Sequence, residues 1–98
     1  MSLPGIVVTG SSGFVGRHLL EAWKERYRIF GLARRSQLRS GAPIHPNITW
    51  LETDIADRSA VEAAFGRIRE QGGADLVVHL AAHYDFTGDE HPQYWRTN

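Results

Sequence analysis

The amino-acid sequence predicts an α/β protein, a parallel sheet with helices flanking its faces. Three observations carry the prediction. Short apolar runs alternate with stretches of helical periodicity, a glycine-rich turn joins the first apolar run to the first helical stretch, and a glycine pair closes the second helical stretch before another apolar run. Strands that alternate with helices imply parallel pairing, because each return to a parallel strand needs a crossover and a helix supplies it.

The elements follow in order. Ile6, Val7 and Val8 read as a short buried strand near 5–9. Val15, Leu19, Ala22 and Trp23 then recur at helical spacing, which predicts a helix near 14–25 with those residues on its buried face. A second strand is expected near 28–33, an exposed loop over 36–47 punctuated by Gly41, Pro43 and Pro46, and a third strand near 48–52 that contains Trp50. The next helix, near 58–70, has Val61, Ala64, Phe65 and Ile68 as its apolar stripe. Asp57 or Ser59 can cap it, and Ser59 with Glu62 forms a capping box. Gly72-Gly73 ends it, since glycine is favoured where the chain turns left-handed past a helix C-terminus. Leu76, Val77, Val78 and Leu80 make a fourth strand near 75–80. Trp23 and Trp50 belong to the core on this reading, and the isolated His18 and His45 carry no assigned role.

The turn Thr9-Gly10-Ser11-Ser12-Gly13-Phe14-Val15-Gly16 is the most informative stretch. A strand-to-helix turn of this kind is where a Rossmann-like fold binds a dinucleotide pyrophosphate. One glycine permits tight geometry, another lets the main chain approach the phosphates, and a third allows close helix–strand packing. The helix N-terminus adds free N–H donors and a positive dipole end. Gly10, Ser11, Ser12, Gly13, Phe14, Val15 and Gly16 are therefore candidate cofactor-binding residues. The competing reading is that the glycines serve only a tight turn and close packing. Their spacing, Gly-x-x-Gly-x-x-Gly, is one residue longer than the usual Gly-x-Gly-x-x-Gly fingerprint, which narrows the family.

Composition bounds the function. A chain of 98 residues fits one small domain, whereas an open dinucleotide-binding sheet with a substrate region needs more; residues 1–98 are expected to be the N-terminal portion of a longer protein. Hydrophobic residues make up 42% and charged residues 22%, and eleven Lys plus Arg balance eleven Asp plus Glu. Zero net charge with scattered arginines argues against a nucleic-acid partner, which would require a basic face. The sequence has no cysteine, no apolar run near the roughly 20 residues that span a bilayer, and no signal peptide in Met1-Ser2-Leu3-Pro4. A cytoplasmic protein with no membrane partner is expected.

The segment Val8-Thr9-Gly10-Ser11-Ser12-Gly13-Phe14-Val15-Gly16, taken with Val78-His79-Leu80-Ala81-Ala82, resembles the extended short-chain dehydrogenase/reductases, the epimerase/dehydratase family. The resemblance covers nearly the whole chain. It implies a partial Rossmann-like sheet with strand order 3-2-1-4, a nicotinamide cofactor, and hydride transfer at a carbon-bound oxygen. The family's Tyr-x-x-x-Lys motif is absent: Tyr27, Tyr84 and Tyr94 are followed four positions later by Gly31, Gly88 and Asn98. No catalytic residue is assigned here, and that part of the chemistry is expected downstream.

Further site residues rest on the same resemblance. Ala33 stands where NAD users commonly place Asp, and Arg34 and Arg35 follow, so NADP is expected in preference to NAD. Guanidinium suits a 2′-phosphate because its planar donors bond bidentately, although Arg34, Arg35 and Arg39 could instead only solvate a loop. Asp54 would bond the adenine amino group and Ile55 pack on the ring, or Asp54 serves a local turn. Leu80, Ala81 and Ala82 would leave room for the cofactor's backbone and ribose, or fill the core.

The stretch His83-Tyr84-Asp85-Phe86-Thr87-Gly88-Asp89-Glu90-His91-Pro92 is read as a substrate-facing loop rather than a metal site, because its spacing with His79 matches no compact ligand motif. Tyr84 or Phe86 could stack on a substrate ring, or anchor the loop by hydrophobic contact. Asn98 matches the family's Asn implied to order a helix and proton relay, or serves helix packing alone. A nucleotide sugar or another carbonyl compound is the expected substrate class, and the alternative is a non-catalytic NADP-binding sensor or interaction module. The fourth strand, left as an edge in residues 1–98, predicts self-association.

Overall fold

The computed structural model describes residues 3–80; Ala81, Ala82, Tyr84, Phe86 and Asn98 lie outside them. Seven elements follow one another: β1 (Gly5–Thr9), α1 (Phe14–Trp23), β2 (Arg28–Ala33), α2 (Gln37–Ser40), β3 (Ile48–Glu52), α3 (Arg58–Glu70) and β4 (Leu76–His79). The strands form one parallel sheet in the order β3-β2-β1-β4. The chain steps outward from β1 to β3, and α3 returns it to the far side of β1. Strand order therefore reverses between β1 and β4, and open parallel sheets form their crevice at the carboxyl ends of such a switch point.

Strand alternation divides the core between two faces. Ile6, Val8, Ile29 and Ile48 pack with Leu20 of α1, flanked by the half-buried Trp23, Tyr27, Trp50, Val78 and Leu80. Val7, Phe30, Leu32 and Leu51 pack with Ala64 and Ile68 of α3, with Phe65 beside them. Ile6, Val7, Val8, Leu20, Ile29 and Leu32 are fully buried. Each such side chain contributes about 1.5–3 kcal/mol relative to exposure.

The amino end of the sheet is closed by Arg28. Its guanidinium and Nε donate to Leu3 O (2.9 Å), Gln71 O (3.0 Å) and Gly73 O (3.3 Å), tying the entry to β1 to the exit from α3. Gly72 (φ 102°) and Gly73 (φ 75°) turn left-handed there, as the glycine pair predicts.

Four expectations are corrected. The buried residues of α1 are Gly16 and Leu20, while Val15 and Ala22 are exposed, because the helix lies on the sheet through the side that bears its smallest residue. The 36–47 loop contains a helical turn, α2, whose N-cap Ser36 accepts from Arg39 N–H and which ends at left-handed Gly41. The cap of α3 is Asp57, which accepts from Ala60 N–H; no box forms, and Glu62 pairs with Arg58 on the exposed face instead. Finally, α1 stops at Trp23, two residues short of the expected end, where Arg26 and Tyr27 N–H both turn back to Trp23 O.

Candidate functional site

The glycine turn leaves β1 and enters α1 at the crevice. Gly10 adopts φ 70°, a conformation that costs a residue with a Cβ about 1–2 kcal/mol, and its carbonyl accepts Gly13 N–H at 3.0 Å. A Cβ on Gly16 would collide with Gly10 O and lie 2.8 Å from Ser11 Cα, so only glycine lets α1 approach the turn this closely. Gly13 is the N-cap of α1 and makes no side-chain cap bond, which leaves first-turn N–H groups of α1 without a capping side chain. Ser11 faces inward: it is fully buried, its hydroxyl donates to Val8 O (2.7 Å) and its N–H to Leu32 O (3.2 Å). Ser11 thus supports the turn from beneath. Ser12 is half-buried, and Phe14 and Val15 are exposed beside the helix start.

Gly31 is part of this construction. A Cβ there would meet Ser11 Oγ at 3.1 Å and Trp50 Cε3 at 3.3 Å, so the bare backbone of β2 lets Ser11 nest against the sheet. The sequence places Gly31 in a strand but gives no sign of this contact.

On the other side of the crevice Thr9 and His79 end β1 and β4. Thr9 Oγ1 lies 2.7 Å from His79 Nδ1 and accepts Leu80 N–H at 3.0 Å, which clasps the two strand ends together. Burial holds the His79 imidazole below its ordinary pKa. The sequence singles out Thr9 in the glycine turn and His79 in the strand-end motif, but only strand register, Thr9 opposite His79, pairs them.

The third part of the site lies beyond β2 and β3. Arg34, Arg35, Ser36, Arg39 and Glu52 line an open pocket of about 650 Å³. Three arginines thus share the lining of one pocket with a glutamate. Arg39 enters from α2 and Glu52 from the end of β3. Trp50 Nε1 donates to Arg35 O (2.9 Å), fixing the backbone of the arginine segment against β3. Asp54 is exposed just past β3; its Oδ1 accepts Ala56 N–H (3.0 Å), so the carboxylate does close a local turn, and Ile55 is half-buried beside it. Leu80 is half-buried and packs on the α1 face of the core.

The chain matches the NAD dependent epimerase/dehydratase family over residues 6–98. It belongs to that family. A 3-beta-hydroxysteroid dehydrogenase of Mycolicibacterium neoaurum is 35% identical over 85 residues, 85% of this chain and 20% of that protein. Among solved structures, the Bordetella bronchiseptica enzyme WbmH in complex with NAD+ superposes with TM-score 0.68 at 30% identity, over 97% of this chain and 30% of that one. The UDP-glucose 4-epimerase of Thermotoga maritima, solved with UDP-glucose, gives TM-score 0.63 at 27% identity, over 85% and 26% of the two chains. This family member thus spans a fifth to a third of the length of these relatives. Its order β3-β2-β1-β4 is the one that the family resemblance implies. Among the described residues no helix is long and apolar enough to cross a membrane.

Proposed function

We propose that residues 1–98 form the NADP-binding portion of an oxidoreductase that transfers hydride to or from a carbon-bound oxygen. The carrying observation is the glycine turn: a cradle that a Cβ on Gly16 would fill, ahead of a helix start with no capping side chain. Bound there, a nicotinamide dinucleotide supplies the hydride acceptor or donor. The chain's own part is to hold it. N–H groups at the start of α1 face the pyrophosphate with the helix dipole behind them, and Gly10 and Gly13 admit the phosphates to the backbone. Asp54 keeps Oδ2 for the adenine amino group while Oδ1 closes its turn, and Ile55 offers the ring an apolar surface. Arg34 and Arg35 take the 2′-phosphate, in the place where Ala33 offers no acid to a ribose hydroxyl.

The substrate class that fits is a nucleotide sugar or another carbonyl compound, bound by the longer protein in which this portion works. The 3-beta-hydroxysteroid dehydrogenase and the 4-epimerase among the relatives support a sugar or alcohol carbon as the reacting centre. A cytoplasmic location is part of this reading, supported by the cysteine-free sequence. Calorimetric titration of the full-length protein with NADP+ and NAD+ tests it. Tighter NADP+ binding is expected; tighter NAD+ binding overturns the cofactor preference, and no binding of either overturns the whole proposal.

A further inference from the structure

The strand end of β2 lacks an acid, yet the neighbouring strand brings one to the same place. In the parallel register Gly31 pairs with Trp50 and Ala33 with Glu52. Adjacent strands run about 4.8 Å apart, and alternation puts all four side-chain positions on one face. The two smallest residues of β2 therefore lie beside two large ones of β3. Trp50 fills the space over Gly31 and holds Arg35 O; one step further along, Glu52 is the register partner of Ala33 and lines the arginine pocket. Glu52 is exposed, and among the described residues no guanidinium pairs with it within 4.0 Å.

We infer that Glu52 is a specificity-determining residue of this pocket, accepting hydrogen bonds from the ribose hydroxyls of a dinucleotide without a 2′-phosphate and opposing the phosphate that the arginines attract. The inference rests on the dinucleotide reading above and deepens it. A carboxylate is acceptor-only, and its two oxygens match the two adjacent hydroxyls of an unphosphorylated ribose. Bonds to an ionised acceptor are roughly twice as strong as neutral ones. The same negative charge repels a 2′-phosphate dianion, while Arg34, Arg35 and Arg39 attract it. One pocket thus holds the means to accept either cofactor: an acid from β3 for NAD, and guanidinium groups from the β2 end and α2 for NADP.

The test is equilibrium titration of the full-length protein with NAD+ and NADP+, comparing wild type with Glu52→Gln and Arg39→Ala. Wild type is expected to bind both. Glu52→Gln weakens NAD+ about tenfold, the scale of one charge-assisted hydrogen bond, and tightens NADP+. Arg39→Ala loses more NADP+ than NAD+ affinity, and its NADP+ affinity falls less steeply with salt. Effects of opposite sign on two cofactors cannot arise from partial unfolding, which weakens both. Equal changes for the two cofactors in Glu52→Gln, or wild-type binding of NADP+ alone, overturns the role of Glu52 and leaves the NADP reading standing. Wild-type binding of neither overturns both.

Discussion

Single atoms decide the geometry of the turn. At Gly16 the space for a methyl group is already occupied by the Gly10 carbonyl and Ser11 Cα, both backbone, so neither yields by a rotamer change. Gly16→Ala must push α1 away from β1. The expected cost is about 1–3 kcal/mol in denaturant unfolding, with cofactor affinity falling more than stability because the displaced helix start is the phosphate contact. A variant of unchanged stability and affinity would show that α1 can shift freely. His79 carries a second prediction at this scale. Burial lowers its folded-state pKa, so the unfolded chain, whose histidine titrates near about 6.5, binds the proton more readily. Stability contributed by neutral His79 is present above that pH and is lost as pH falls through and below it. Unfolding midpoints measured from pH 7.5 to 5.5 are expected to fall in wild type and to fall less in His79→Asn, which keeps a polar partner for Thr9; equal slopes would remove His79 from the account.

Between elements, Arg28 acts as a bracket. Three carbonyls, from the start of the chain and from both sides of the α3 exit, converge on one guanidinium, whose carbon also lies 5.9 Å from the Phe30 ring centroid. Arg28→Met keeps the aliphatic stem but leaves Leu3, Gln71 and Gly73 carbonyls without their donor. A loss of about 2–3 kcal/mol is expected in chemical denaturation, since bonds from a charged donor are worth about 1.5–3 kcal/mol each and part of this site is solvated. A loss under half a kcal/mol would mean that water replaces the donor in full. Arg28 also marks where sequence reading stops. The strands at 5–9, 28–33 and 48–52 and the helix at 58–70 were legible because short apolar runs and a 3.6-residue period are local properties, and the left-handed exit of α3 was legible from Gly72-Gly73. The bracket, the Thr9–His79 clasp and the Ala33–Glu52 pairing join residues 19 to 70 positions apart, and only the folded chain brings them together. The turn α2 escaped for a different reason: four residues are too few to show a helical period, and its Leu38 faces solvent. The sequence pattern does not show the buried face of α1, because that face is set by Gly16, which carries no hydrophobic signal and abuts the turn, together with Leu20, which packs on the sheet.

At the scale of the whole molecule the sheet is covered unevenly. α1 and α3 lie over β1, β2 and β3, whereas on β4 Leu76 is 53% exposed on one face and Val77 is 51% exposed on the other. Among the described residues β4 pairs only with β1, so its outer side presents backbone donors and acceptors together with apolar side chains on both faces. A strand edge of that kind is a template for another strand. Residues 1–98 produced alone are therefore expected to self-associate, with an apparent mass in light scattering that rises with protein concentration. Val77→Lys places a charge on that strand, which makes edge-to-edge pairing costly, and should shift the population toward monomer without changing the β1–β2–β3 core. Mass that stays monomeric over a hundredfold range of concentration, or that the charge leaves unaltered, would mean that β4 is not the surface through which copies meet. The same charge in the full-length protein offers a contrast. If further chain covers β4 there, Val77→Lys lowers the unfolding midpoint rather than the oligomeric mass, because a lysine is then buried against apolar neighbours instead of standing in water.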